Sequence, residues 1–493
     1  MVEDSREIEK KIVYTSPERA VHNHVGLGMN IWLGEVAHPR KLLGAVHHAA
    51  ASGTLNPDNE VQREDLLGTG NPRSIRINGL FPPTGAILAD PFATGLVDTR
   101  TVFVGSATRP AAQKGGVEFV PTDLGSLPRL IKNGRNPIDC VFVSVSPPDM
   151  NGVCTIGPGS GSTRKVLDIA IAQRERGEKK RIKVIAEVNN YVPRTSGDTM
   201  IHNKYFDAAV QADYPIGNPE TPEKPLTPIE SAIGKHVAKL VDNGATIQIG
   251  VGQIPNAILS QLTTKRGLHV FTEMFSSGIP PLVAAGVIEG PIKTSFAIGS
   301  QQFFDWIGQH PELVEFYGTE IMNDPFKIAQ NEKMTAINAA LEIDLTGQIC
   351  ADSIGTDIYS AAGGQYNFMQ GATLSERGKA IVVLPSEINK GIIRKSKIAP
   401  TLQNGAGVVT PRNLAQWVVT EFGAINLEGM DLEQRALLLT AIAHPRYQPK
   451  LLAWANRFSR FKRPGIVDKN YIEKVWQNYV VKDENVDFAG LRR

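Results

Sequence analysis

The sequence is poor in cysteine: three in 493 residues, Cys140, Cys154 and Cys350. A sparse, odd set excludes a disulfide scaffold and points to a reducing compartment. None has a second Cys or a His at zinc-ligand spacing. His22-Asn23-His24 and His47-His48 have no carboxylate or third His that would complete a metal set, so they read as helix and loop histidines. Neither charge is in excess: 52 Lys and Arg face 50 Asp and Glu, a formal charge of +2. No basic stripe with interleaved aromatics dominates, so nucleic acid is not an expected partner. The densest cationic cluster, Arg457 to Arg463, reads as a solvated helix face. No run reaches the ~18 apolar residues that a membrane helix needs. The N-terminal MVEDSREIEKKIVY lacks an apolar signal core. The expectation is a cytoplasmic protein with no membrane partner.

What is present is ordinary for a soluble globular chain: 42% apolar and 21% charged residues. The length predicts two or three domains. Short apolar runs alternate with helical patterns. Strands are predicted at Thr101–Val104, Asp139–Val145, Lys183–Val188, Thr246–Ile249 and Leu268–Phe271, and near Ile337–Ile343 and Ala380–Leu384. Helices are predicted over Thr163 to about Arg176, Ile229–Val241, Asn256–Leu262 and the last ~70 residues. Such alternation means βαβ units, hence an α/β fold with open, mainly parallel sheets. The Pro-rich, polar segment Pro215–Pro228 is the best linker. It divides the chain into 1–220 and 221–493. Two halves of similar design suggest an internal duplication.

One acid stands where a strand runs into a turn. Glu273 follows the apolar run Leu268–Phe271 and precedes Ser276, Ser277 and Gly278. The carboxyl edge of a parallel sheet is where open α/β folds place their sites. Alone, Glu273 reads better as a solvated loop acid or an N-cap neighbour of the following helix. Gly250-Val251-Gly252, after a strand and before a helix, suggests a phosphate contact. It is a poor dinucleotide fingerprint, because Pro255 and Asn256 occupy the place of the third glycine. A nicotinamide oxidoreductase is therefore a distant reading. Gly363-Gly364 is a second glycine loop, suited to a turn or to aiming N–H groups at one point.

These motifs, in order, resemble the acetyl-CoA hydrolase/transferase family, the class I CoA-transferases. The matching stretches are VSPPDMNGVCTIG at 145–157, AEVNNYVPRTSGD at 186–198, IGVGQIPNA at 249–257, FTEMFSSG at 271–278, INAALEIDLTGQ at 337–348, GGQYNF at 363–368 and VVTEFGAINLEG from 418. The resemblance implies two CoA-transferase domains with the active site at their interface. It implies a Glu273 nucleophile that forms a glutamyl-CoA thioester, Gly364 as backbone oxyanion donor and Asn323 as a side-chain amide beside the glutamate. Gly250, Val251, Gly252, Gln253 and Ile254 match the loop that runs along CoA. Lys390 matches a lysine meeting CoA's charged end, and Leu341 and Ala361 match backbone positions of the CoA tunnel.

The implied reaction moves CoA between a short-chain acyl-CoA and a small carboxylate. CoA would be a cosubstrate, with no bound cofactor and no metal, and the protein a homodimer. The sequence departs from the family pattern at Asn367, usually an acid, at Ser277, often Asp, and at Ala361-Ala362, usually Ser-Gly. Glu187, Glu230 and Glu421 are competing acids: a strand-end carboxylate, a helix-opening acid and a brace of the C-terminal part. An acyl-CoA hydrolase uses the same motifs and is the nearest rival. A catalytically dead CoA-binding regulator is a rival of another class.

Overall fold

The computed structural model describes residues 12–62, 71–80, 95–218, 224–391, 393–458 and 469–491. The chain divides into two compact units. The first comprises Met1–Thr122, Ser126–Glu220 and Lys293–Glu320; the second comprises Asp123–Gly125, Thr221–Ile292 and Ile321–Arg493. The sequence cut between 220 and 221 falls on one of these boundaries. The excursion Lys293–Glu320 rejoins the first unit, and three residues of the N-terminal half belong to the second.

The first unit is built on a seven-stranded parallel sheet. Its order is Ala208–Ala212, Lys183–Asn189, Cys140–Val145, Asn30–Leu33, Ile75–Gly79, Val97–Thr101, Glu118–Phe119. Cys140–Val145 is buried at all six positions, as a parallel strand covered on both faces must be. Helix Arg40–Ser52 seats Leu42, Leu43 and Val46 in a core with Ile31, Leu33, Phe142 and Ile185.

The strand expected at 101–104 lies earlier, at Val97–Thr101. Its buried Val97, Thr99 and Thr101 alternate with Asp98 and Arg100, which meet Ser74 and Glu118. Polar residues thus hid the strand, while Val102 and Val104 are buried in the segment after it.

In the second unit the strand order is Gly423–Asn426, Trp417–Thr420, Lys379–Val383, Thr335–Ala339, Thr246–Ile249, His269–Ser276. All neighbours are parallel except the first pair. The first of these strands in the chain, Thr246–Ile249, has a parallel neighbour on each side. The chain leaves it for His269–Ser276 on one side and returns to Thr335–Ala339 on the other. That reversal is a topological switch point, where strand ends diverge into a crevice.

The expected strand over 337–343 is two: Thr335–Ala339 and a separate Glu342–Asp344 in a small sheet. Helix Gln253–Ser260 starts three residues before its expected start at Asn256. Pro255 sits in its first turn, where an N–H would have no helical partner anyway. Helix Pro228–Leu240 opens with a capping box, Thr227 and Glu230, which accounts for Glu230. Helices Leu432–Ala441, Gln448–Phe458 and Lys469–Tyr479 follow the sheet. Most of the cationic cluster, from Ser459 on, lies outside the described residues. Among the described residues no helix is long and apolar enough to cross a membrane.

Candidate active site

Glu273 lies on strand His269–Ser276, one strand from the switch point. Strand register pairs Ile247 with Val270; continued by three residues, it brings Gly250 level with Glu273. The loop Gly250–Ile254 therefore begins beside Glu273 at the same sheet edge. Among the described residues nothing lies within 4 Å of where a side chain on Gly250 would start.

Asn323 and Gly364 both meet the Glu273 carboxyl. Asn323 is completely buried and donates from Nδ2 to Oε2 at 2.6 Å. Its backbone is held by the next residue, because Asp324 caps helix Pro325–Ala329 by accepting from the Phe326 N–H at 2.9 Å. Asn323 Oδ1 is buried without a hydrogen-bond partner among the described residues. The second group is Gly364, which caps helix Gln365–Leu374. A Cβ there would overlap the Glu273 carboxyl and the Asn323 amide, so only glycine fits. The Gly364 N–H has no acceptor among the described residues. Gly363 takes φ +56, a left-handed turn that glycine adopts without strain. Phe368 packs on Phe271, ring centroids 6.4 Å apart, and so fixes this helix on the strand carrying Glu273.

The carboxyl of Glu273 is desolvated although the residue as a whole is only half-buried. Burial pushes it up to about 7, opposed by the hydrogen bond from Asn323. A carboxyl near neutrality, beside a fixed amide donor and a helix N-terminus, is suited to act as a nucleophile.

The remaining predicted residues lie around this centre. Gly252, at φ +123, caps helix Gln253–Ser260, and Val251 is exposed. The Leu341 N–H is already bonded to the Cys350 carbonyl at 2.9 Å, which leaves its carbonyl and side chain for a ligand. Ala361 is buried in the segment leading to Gly363. Lys390 ends strand Glu387–Lys390; its side chain lies outside what the structure describes.

The competing acids are occupied by structural bonds. Glu187 accepts from Leu42 N at 2.7 Å and from the Tyr214 hydroxyl at 2.5 Å. Glu421 accepts from Ser386 N at 2.8 Å and Ser386 Oγ at 2.6 Å. Among the described residues no group of three or more His, Cys, Asp or Glu is placed to hold a metal.

Sequence reasoning missed several groups. Lys397 donates to the Ala340 carbonyl at 3.0 Å, and burial pushes its amine down to about 8. Asn338 donates to Gln248 at 3.0 Å on the strands flanking Gly250's end. Asp123 to Gly125 belong to the same unit as Glu273, more than a hundred residues away in sequence. Strand register could have suggested the Gln248–Asn338 pair; nothing in the sequence marked Lys397 or Asp123.

The acetyl-CoA hydrolase/transferase N-terminal domain model matches residues 87–223, and the C-terminal domain model matches residues 299–455. The 4-hydroxybutyrate coenzyme A transferase of Clostridium kluyveri is 38% identical over 359 residues, 71% of this chain and 80% of that one. A succinyl-CoA:acetate/propanoyl-CoA:succinate CoA transferase of Fasciola hepatica is 37% identical over 370 residues, 73% of this chain and 74% of that one. The crystal structure of RipA from Yersinia pestis aligns with a TM-score of 0.77 at 29% identity, covering 90% of this chain and 97% of that one. Relatives named acetyl-CoA hydrolase are more distant, as in Kluyveromyces lactis at 21% over 421 residues, 73% of this chain and 75% of that one. The two-domain α/β architecture, the glycine loops and these matches make the chain a member of the acetyl-CoA hydrolase/transferase family.

Proposed function

We propose that this protein moves CoA between a short-chain acyl-CoA and a small carboxylate, through a glutamyl-CoA thioester on Glu273. The observation that carries the reading is the Glu273 carboxyl held against Asn323 and Gly364 at a helix N-terminus. The Glu273 carboxylate attacks the acyl carbonyl and the C–S bond breaks. This gives a mixed anhydride and CoA thiolate. The thiolate then attacks the glutamyl carbonyl and expels the acyl group as a carboxylate, leaving Glu273 as its CoA thioester. An acceptor carboxylate runs the same steps in reverse. Each attack places negative charge on a carbonyl oxygen, and the Gly364 N–H and the Asn323 amide are the fixed donors for it. The covalent route conserves thioester energy that water would otherwise discharge.

The relatives at 37–38% identity are named CoA transferases, and those named hydrolases are at 21%. Transfer is therefore favoured over hydrolysis. Acetate, propionate, butyrate, succinate and 4-hydroxybutyrate are the acceptors to test. Gly250 to Ile254 would carry the CoA chain, with Leu341 and Ala361 beside it and Lys390 at its charged end. The three cysteines are free and buried, which supports a cytoplasmic setting. A homodimer rests on family resemblance, and light scattering on the eluting peak reads it directly.

The test is intact mass after incubation with acetyl-CoA and no acceptor. A CoA-sized adduct on the Glu273 peptide, discharged by the right carboxylate, is expected. Glu273→Gln should lose adduct and exchange, since an amide is a poor nucleophile, while it still unfolds in a single cooperative transition. Near wild-type turnover in that variant, without deamidation, would sink the mechanism. Steady release of CoA with no acceptor present would put hydrolysis in its place.

A further inference from the structure

Three residues from the N-terminal half are built into the Glu273 centre. Asp123 forms a parallel bridge with Gly363. The Leu124 N–H donates to the Gly363 carbonyl at 3.0 Å. The Gly125 N–H donates to Asn367 Oδ1 at 3.4 Å, and Asn367 Nδ2 donates to Asp123 Oδ1 at 2.9 Å. Asn367 is 5% exposed. A Cβ on Gly125 would lie 2.6 Å from the Asn323 carbonyl, so this backbone passes close to the second group that meets Glu273.

We infer that Asp123 and Asn367 form a clamp that fixes the Gly363-Gly364 turn, and with it the Gly364 N–H, against the Glu273 carboxyl. Neither side chain is a catalytic residue; both are positioning residues. Three hydrogen bonds converge on one short segment. One, part of the Asp123–Gly363 bridge, holds the Gly363 backbone, and two hold a side chain on the first turn of the helix that Gly364 caps. The orientation of a single N–H is what such a segment can control. An oxyanion donor acts through a hydrogen bond that must be aligned when charge develops, so loosening the turn costs rate more than binding.

The clamp also accounts for an amide at position 367. Asn367 must donate to a carboxylate on one side and accept from an N–H on the other; an amide does both, and an ionised acid only accepts. An acid at 367 would accept the Gly125 N–H equally well but would face the Asp123 carboxylate. The pair therefore works in either order, an acid at 123 with an amide at 367 or the reverse, and not with two acids.

The inference rests on the proposed reaction, and the test separates the two. Asn367→Asp, Asp123→Asn and the double variant are compared with wild type in acyl-CoA:acetate exchange and in thermal unfolding. Asn367→Asp is expected to lower kcat at least tenfold, with KM for acyl-CoA within twofold. Asp123→Asn keeps one amide–amide bond and is expected to lose threefold or less. The double variant, with the bond reversed, is expected to recover most of the Asn367→Asp loss. The clamp is overturned if Asn367→Asp turns over like wild type. It is equally overturned if that variant is folded and impaired and the double variant recovers nothing, or if the loss falls on KM alone. A wild-type protein with no exchange and no adduct would refute the reaction instead. The melting temperatures then decide the clamp: recovery of Tm in the double variant supports it and additive losses reject it.

Discussion

At the residue scale the site turns on one proton. In the proposed reaction Glu273 attacks as a carboxylate, and burial holds its carboxyl near 7 rather than at the ordinary 4.5. Below 7 most of the enzyme holds a protonated, inert glutamyl group. The rate of adduct formation from acetyl-CoA, measured in single turnover, should therefore rise about tenfold per pH unit below that point and level off above it. Asn323 donates to the charged form, so its hydrogen bond pulls the pKa down. Asn323→Ala should move the midpoint upward and lower the plateau by roughly 10²-fold, the usual cost of an oxyanion donor. A profile in Asn323→Ala with an unmoved midpoint would mean that the amide does not act on the ionised carboxyl. The same residue shows what single positions conceal in a sequence. Asn323 stands 50 residues from Glu273, with no motif spacing to join them. Family resemblance, rather than periodicity or charge pattern, put them side by side. Asn367 and Asp123, 244 apart, had no such guide, and only their hydrogen bond reveals them.

At the element scale, the fold was legible where both strand faces are apolar. Cys140–Val145 and Lys183–Asn189 stand close to their expected limits because buried parallel strands are written as continuous apolar runs. Val97–Thr101 was not legible, since its outward Asp98 and Arg100 hold partners on neighbouring elements. The start of helix Gln253–Ser260 was hidden by Pro255, which breaks a helix interior but is tolerated in a first turn.

The two glycine loops now make opposite predictions. Gly364 has no room for a Cβ beside Glu273 and Asn323, whereas a Cβ on Gly250 would meet nothing within 4 Å among the described residues. Gly364→Ala should cut kcat by 10² or more and lower Tm by several degrees, as overpacking does. Gly250→Ala should leave Tm unchanged and raise KM for acyl-CoA several-fold, since the added methyl would stand in the proposed path of CoA. Unchanged kinetics in Gly250→Ala would remove that loop from the CoA path.

At the scale of the whole molecule, stability follows buried carboxyls, one in the proposed site and one far from it in the chain. Glu35 is 2% exposed, with Ser162 N donating to Oε1 at 3.0 Å and Thr163 N to Oε2 at 3.4 Å. Burial outweighs these bonds and pushes it up to about 8. Glu273 is raised to about 7 for the same reason. A raised folded pKa means that the native state holds a proton which the unfolded chain has released. The stability is fully present below about 4.5 and is lost as pH rises through 7 for Glu273 and through 8 for Glu35. The slope is roughly 1.4 kcal/mol per pH unit per group. His236 works in the other direction: burial pushes it down to about 4, so its contribution is lost as pH falls below its ordinary value of 6.5. Between pH 7.5 and 8 His236 is neutral in both states, and the fall in Tm belongs to the carboxyls. Glu35→Gln removes the largest of these protons. Its Tm should be a few degrees lower at pH 6.5, because an amide NH2 faces the Ser162 and Thr163 N–H groups. Across the same window its Tm should fall much less steeply than that of the wild type. Parallel Tm curves for the two proteins would mean that Glu35 is ionised in the native state throughout. Its two N–H bonds would then outweigh burial at the start of helix Thr163–Glu175.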